Sequence, residues 1–292
     1  MLLHWFKSLI KDELWVFIHP QHMVLMRISR PLTKGLKQQI VDKQLIDLPQ
    51  NIADRSHESQ DWKILTKHLK QALNDTKWQG TMPTVIVSNH FARYAVIPWN
   101  TELAVEAERQ AYMQHCFNLV FGEPAKAWDL RMSEPDFGKP AIASAINLSL
   151  LHALHDVFAE ADMALTAVYP QLMLAINQTL SELKMHKKAL SFWLIAIQSE
   201  RVSLMLLIDG GWRLVKNVAI EADISAQVTA LIQREIVNSN VPEKIPVLQY
   251  WPESKSKQPL SLVYHKATKV QPHQFDMHNS QAANNLPDWI MV

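Results

Sequence analysis

Glycine is scarce in this chain. Six glycines in 292 residues stand at Gly35, Gly80, Gly122, Gly138, Gly210 and Gly211, against about 7% in average usage. Neither GxGxxG nor GxxxxGKS/T can be written anywhere along the sequence. Phosphate-cradling loops use glycine because backbone N–H groups must approach the phosphate without a Cβ in the way, so the common nucleotide enzymes are disfavoured at the outset. Cysteine is scarcer still. Cys116 stands alone, which excludes an intramolecular disulfide and any cysteine-rich zinc site and suits a reducing compartment. Charge of one sign is missing too: Lys+Arg number 29 against Asp+Glu 28, so there is no basic field of the kind a nucleic-acid binder carries. No run approaches the ~20 apolar residues of a membrane span. The opening Met1-Leu-Leu-His-Trp-Phe-Lys-Ser-Leu-Ile10 is broken by Lys7 and lacks a cleavage-site pattern, so it makes a poor signal peptide. These absences predict a soluble, cytoplasmic protein.

What is present is ample apolar material, 48% of residues with 20% charged, enough for one large domain or two smaller ones. Apolar runs at 14–18 and 23–28, separated by His-Pro-Gln-His, predict a β-hairpin with Pro20 in the turn. A third strand is expected over 40–48. Trp62, Leu65, Leu69, Ala72 and Leu73 fall at helical spacing. Strands are expected at 84–88 and 93–97, then a helix to about residue 120 capped by Asn100 or Thr101. Strands at 127–132 and 140–146, a helix over 147–161, a strand at 165–169 and a helix over 170–185 close this half. The chain then restarts with strands at 192–197 and 202–208, the strong turn signal Asp209-Gly210-Gly211, and a third strand over 212–220. A helix over 223–238 and a strand at 246–251 follow. From 252 onward the sequence is polar, and 266–288 is expected to be weakly ordered.

The two hairpins echo each other at an offset of 179 residues. Ile18 then meets Ile197, Leu25 meets Leu204, Met26 meets Met205, and the apolar run is interrupted at the same place in both. In each half the order is hairpin, third strand, helix. That order resembles the actin-like fold, in which two related α/β halves each open with a three-strand meander. The stretch Val85-Ile-Val-Ser88, Arg93-Tyr-Ala-Val-Ile-Pro98-Trp and Thr101-Glu-Leu-Ala-Val-Glu-Ala-Glu-Arg109 is similar to the matching stretch of the type IV pilus assembly family PilM. The cytoplasmic part of the type II secretion family GspL is similar in layout.

The resemblance implies an α/β actin-like architecture of duplicated RNase H-like halves, two lobes with a smaller inserted subdomain. The expected boundaries are 1–82 and 166–251 for the two actin-like subdomains, 83–165 for the insertion and 252–292 for a partly disordered polar tail. It also implies a cytoplasmic scaffold, peripheral at the inner face of the bacterial inner membrane, that binds the cytoplasmic peptide of a bitopic PilN-like partner. Homo-oligomerisation is compatible with this. The family's first turn normally reads Asp-Ile-Gly followed by small hydroxyl residues, and in actin-like ATPases the two turns wrap the phosphates. Here the turns read His19-Pro20-Gln21-His22 and Gln198-Ser199-Glu200-Arg201, without glycine or aspartate. His19, Gln21, His22, Gln198, Glu200 and Arg201 are therefore expected to form degenerate phosphate turns, with no bound cofactor, no metal and no catalytic residue. The alternatives are an ATPase or sugar-kinase relative with diverged phosphate loops, and a stand-alone interaction module.

Other candidates have bland readings. His19 and His22 are expected in a solvated turn. His152, His155 and Asp156 share a helix face at i, i+3 and i+4 but lack a further ligand in sequence. Cys116 and His115, adjacent on a helix, point about 100° apart, and Cys116 is expected in the core. Ser88-Asn89-His90 is not a GxSxG elbow. Residues 1–11 form a short amphipathic piece that could touch a membrane or dock on its own domain. Pro98 and Trp99 are the candidate partner surface, because exposed aromatic side chains anchor interfaces.

Overall fold

The structure, a computed structural model, describes residues 11–29, 39–49, 62–101, 105–133, 136–185, 191–198, 200–221, 223–239, 241, 245–252, 258–263 and 267–270. The amphipathic reading of 1–10, and 271–292 of the polar tail, lie outside the described residues. The chain divides into two units, one from Met1–Phe91, Asn147–Gln171 and His273–Val292, the other from Ala92–Ile146 and Leu172–Pro272. The stretch 83–165 is thus shared between them.

The first unit is built on β1 (Glu13–Ile18), whose six residues are all buried. An apolar run without alternation suits a strand covered on both faces. β1 pairs antiparallel with β2 (His22–Ser29) and parallel with β4 (Met82–Val87). β3 (Gln39–Asp47) and β8 (Ala167–Pro170) complete the order β3-β2-β1-β4-β8. Among the described residues two helices belong to this unit, α1 (Lys63–Leu73) and α3 (Leu148–Glu160). Each buries residues at i, i+4, i+7 and i+8: Leu65, Leu69, Ala72 and Leu73 on α1, Leu150, Leu154, Val157 and Phe158 on α3. The indole N–H of Trp62, just ahead of α1, donates to Ser149 Oγ at 2.8 Å, and Lys70 pairs with Glu160. Asn147 caps α3 by accepting from the Ser149 N–H at 2.8 Å.

The second unit repeats the sheet. β9 (Phe192–Gln198), also buried throughout, lies between β10 (Arg201–Ile208) and β12 (Val247–Tyr250), and the order is β11-β10-β9-β12-β13. β11 is Gly211–Ala219 and β13 is Ala267–Lys269. β13 corrects part of the weakly ordered reading of 266–288: Ala267 to Lys269 pair parallel with Val247 to Gln249. The two faces of the sheet alternate residue by residue. Trp193, Ile195, Ile197, Leu204 and Leu206 pack with α5 (Ile224–Ser239) through Val228, Leu231 and Ile232. Phe192, Leu194, Ala196, Met205 and Leu207 pack with α4 (Gln171–Met185) and with Tyr94 and Ile142. Those two residues belong to a three-stranded sheet, order β5-β7-β6, made of β5 (Ala92–Ile97), β6 (Trp128–Met132) and β7 (Ala141–Asn147). Its other face, through Ala95, Ile97, Ala143 and Ala145, packs on Met113 and Phe117 of α2 (Glu106–Phe121).

α2 starts later than Asn100 or Thr101 would set it. The capping position is Val105, whose N–H donates to the Glu108 carboxylate at 3.3 Å, so the acidic side chain supplies what a side-chain cap at 100 or 101 was expected to supply. Asp209 and Gly210 both have positive φ, 50° and 76°, the left-handed pair that a tight hairpin turn requires. No helix among the described residues is long and apolar enough to cross a membrane.

The 179-residue echo is a structural duplication. Adding 179 to each member of the pair Val16–Leu25 gives the observed pair Ile195–Leu204, and the whole β1–β2 register maps onto β9–β10 in this way. The third strand also slips at the corresponding place, between Arg27 and Ile28 in one sheet and between Leu206 and Leu207 in the other.

Candidate functional site

In the first unit, His19 lies against its own sheet. Its backbone N–H donates to the His22 carbonyl at 2.9 Å, the Gln21 carbonyl accepts from Leu48 N–H at 2.7 Å, and the Ile18 carbonyl accepts from Ser88 N–H at 2.9 Å. The imidazole is 2% exposed and stacks on the ring of His22 at 4.6 Å. The expectation of a solvated turn is therefore wrong for His19. Leu48, just past β3, and Ser88, just past β4, bond to the backbone around the turn, which residues 19–22 alone cannot reveal. Ser88 is itself buried and serves this closure.

The turn of the second unit closes the same way. Glu200, 179 residues after Gln21, accepts at its carbonyl from Ile220 N–H at 2.8 Å, and Ile220 follows β11 as Leu48 follows β3. Gln198, the counterpart of His19, is buried. Glu200 takes φ 61°, a left-handed conformation that costs a non-glycine residue about 1 kcal/mol or more. Arg201, the counterpart of His22, donates through Nε to Asn217 Oδ1 at 3.0 Å and through a terminal nitrogen to the Asn217 carbonyl at 2.9 Å. Ser199 lies outside the described residues.

Arg93, half-buried on β5, donates to the Ala92 carbonyl at 2.9 Å. Burial, reinforced by the charge of Arg201, pulls its pKa below the ordinary arginine value. Burial likewise pushes the Tyr94 hydroxyl far up, against a hydrogen bond from the Leu172 backbone and the charges of both arginines.

A pocket of the second unit lies where Pro98 and Trp99 were singled out. About 470 Å³ in volume, it opens between the end of β5, the first turns of α2 and the end of β6. Its size falls in the usual range for ligand sites. Ile97, Met113 and Ala141, all buried, are apolar parts of its wall, with Met132 and Tyr112 beside them. Trp99 is half-buried and meets Phe137 edge-on at 5.3 Å, while Phe137 is 87% exposed. The buried indole N–H of Trp99 has no acceptor among the described residues. Four charged side chains line the pocket, Arg109, Arg131, Lys139 and Glu106. Arg109 Nε bonds Glu106 at 3.0 Å and holds that carboxyl below its usual range, Arg131 pairs with Asp129 at 2.8 Å, and Lys139 pairs with Asp136 at 3.4 Å.

Comparison with known proteins separates sequence from fold. No family model matches the chain, and no curated protein matches it. Solved structures do. The cytoplasmic domain of EpsL, an inner membrane component of the type II secretion system of Vibrio cholerae, matches at TM-score 0.56 and 10% identity, covering 91% of this chain and 92% of that one. The PilM–PilN type IV pilus biogenesis complex matches at 0.54 and 11%, covering 81% and 80%. A Bacteroides thetaiotaomicron protein with an actin-like ATPase fold and unknown function matches at 0.52 and 10%, covering 82% and 81%. The fold is actin-like.

Within this actin-like fold the remaining candidates do not converge on chemistry. His152, His155 and Asp156 are all exposed on α3, and no group of three or more metal-ligating side chains occurs among the described residues. Cys116 is half-buried rather than fully in the core. Burial pushes its thiol pKa up, against a hydrogen bond with Tyr112 one helical turn away. His115 is exposed. Sequence reasoning missed Met113, Met132, Arg109 and Phe137 as neighbours of Trp99. Phe137 between Asp136 and Gly138 was the one available signal, an aromatic residue in a turn.

Proposed function

We propose that this actin-like chain is a non-catalytic scaffold of a type IV pilus or type II secretion-like assembly, held at the inner face of the inner membrane by a bitopic partner. It binds a short cytoplasmic segment of that partner, a PilN-like protein, with Pro98 and Trp99 at the contact. The observation that carries this reading is the pair of hairpin turns. In place of glycine they hold a buried imidazole, a buried amide and a left-handed Glu200, and the His19 N–H is already spent on the His22 carbonyl. A phosphate needs several free N–H donors converging on it. The fold shared with the EpsL domain and with PilM in its complex with PilN supports the choice of system.

Affinity would come from an extended segment with apolar anchors. The test is titration of the full chain with the cytoplasmic peptide of a bitopic PilN-like protein from the same organism. Micromolar or tighter binding, weakened about tenfold by Trp99→Ala, is the expected result. No binding by a folded sample would sink the reading. A second reading, an actin-like ATPase with diverged loops, is favoured by one feature: two half-buried arginines, Arg93 and Arg201, each felt electrostatically by Tyr94, could meet an anion.

A further inference from the structure

The Trp99 pocket belongs wholly to the second unit, and its wall is rich in hydrogen-bond donors and poor in acceptors. The buried indole N–H of Trp99 has no acceptor among the described residues. Arg109 bonds Glu106 through Nε and one terminal nitrogen, at 3.0 and 2.5 Å, and its other terminal nitrogen is uncommitted among the described residues. Arg131 bonds Asp129 through Nε at 2.8 Å, which leaves both of its terminal nitrogens available. Among the described residues Glu106 is the one carboxylate on the wall, and Arg109 and Gln110 already bond it. Whatever fills the pocket must therefore bring acceptors of its own, because a buried donor is rarely left unpaired.

Charge selects among acceptors. Three cations, Arg109, Arg131 and Lys139, line the pocket against the single Glu106. Each belongs to an ion pair with one partner at least two-thirds exposed. Pairs of that kind are weak, so a cation can turn to an incoming carboxylate at little cost. Apolar contact is offered beside them. Met113, one turn after Arg109 on α2, is buried and lines the same pocket, and methionines adapt to what they cover. Outside the cavity, Phe137 is 87% exposed against the Trp99 ring, and Val105, just ahead of α2, is 56% exposed. These side chains carry the apolar surface beyond what a ligand held inside the cavity would cover, which favours a docked chain over a small molecule.

We propose that the pocket selects an acidic peptide, an extended segment of a partner protein with Asp or Glu beside a large apolar residue. Its carboxylate pairs with Arg109, its apolar side chain packs on Met113 and Ile97, and one of its backbone carbonyls accepts from the Trp99 indole. Arginine–carboxylate hydrogen bonds are of the stronger, charge-assisted kind, and beside an apolar anchor they set the register and reject a basic competitor. The inference deepens the scaffold reading and rests on it for the identity of the partner.

The test is a selection on the full chain from a displayed library of random short peptides, depleted beforehand on the folded Trp99→Ala chain. Enriched peptides should carry Asp or Glu beside, or one residue from, Phe, Trp, Leu or Met. A fluorescein-labelled copy of one of them, followed by anisotropy, should lose about tenfold in affinity to Arg109→Glu. Changing its acid to lysine should recover part of that loss, as a direct charge contact requires. Trp99→Phe, which keeps a ring and removes the N–H, should weaken it about fivefold, the worth of one hydrogen bond. No enrichment, enriched peptides without an acid, or indifference to Arg109→Glu would each overturn the inference. Binding of the chain to phosphatidylglycerol vesicles that Arg109→Glu abolishes, with no peptide enriched, would assign the patch to a lipid surface instead. Failure of the PilN-like peptide to bind, with the selected peptides behaving as stated, would sink the scaffold reading and support the selectivity of the pocket.

Discussion

The two hairpin turns are closed by the same bonds and filled with different chemistry. In each, the carbonyl one residue before the second strand accepts from the N–H one residue after the third, Gln21 from Leu48 and Glu200 from Ile220. Yet His19 corresponds to Gln198 in the repeat and His22 to Arg201, so not one side chain of the turn is kept. Backbone closure is dictated by strand register and by the burial of β1 and β9, which tolerate many apolar residues. Turn side chains are under no such constraint unless a ligand imposes one. The comparison teaches that the repeated register rests on packing, while the side chains at matching turn positions differ between the two halves.

The sharpest way to break the comparison is through the two tryptophans of the central strands. Trp15 donates its indole N–H to the Glu13 carboxylate at 2.8 Å, whereas the buried Trp193 N–H has no acceptor among the described residues. Replacing either by phenylalanine leaves a similar cavity, so the difference isolates the hydrogen bond. Trp15→Phe should cost about 2 kcal/mol more than Trp193→Phe, read by denaturant unfolding. Equal losses would mean that the two sheets are held alike.

Alkali should separate the units next. A tyrosine in an unfolded chain ionises near pH 10, but the buried Tyr94 hydroxyl of the second unit is held protonated well beyond that. Its contribution is whole below the unfolded value and drains away as pH climbs toward the folded one. Hydrogen exchange should show the second unit opening first as pH rises past about 10, and Tyr94→Phe should delay that onset. Opening of the first unit ahead of it would count against the assignment.

The smallest effect has opposite signs in the two turns. Glu200→Gly removes a left-handed strain and should stabilise by up to about 1 kcal/mol. Gln21, its counterpart, is not in that conformation, so Gln21→Gly should destabilise by about 0.5–1 kcal/mol. Thermal unfolding of the two variants checks the pair.

Much of this fold is legible in the sequence because its signals are local. The apolar runs of β1 and β9 and the i, i+4, i+7 faces of α1 and α3 predict their elements. The echo of Leu25 in Leu204 points to the true register. β13 was not legible, since Ala267-Thr-Lys269 has no apolar run and pairs only because β12 offers an edge. The burial of His19 was hidden because Leu48 and Ser88 cause it from elsewhere in the chain. Trp99 stood out as an aromatic residue after proline, but its pocket did not. Only Met113 and Phe117 of α2 are fully buried, so the phase that turns Met113 and Arg109 toward Trp99 is weak in the pattern.

The central claim is that an actin-like shell has lost its phosphate turns. Calorimetric titration of the full chain with ATP and Mg²⁺, paired with thermal unfolding in the same solutions, tests it most directly. The account predicts no binding heat and no change in melting temperature. Micromolar binding, with the stabilisation of about 2.7 kcal/mol that ligand at a hundred times its Kd confers, would contradict it.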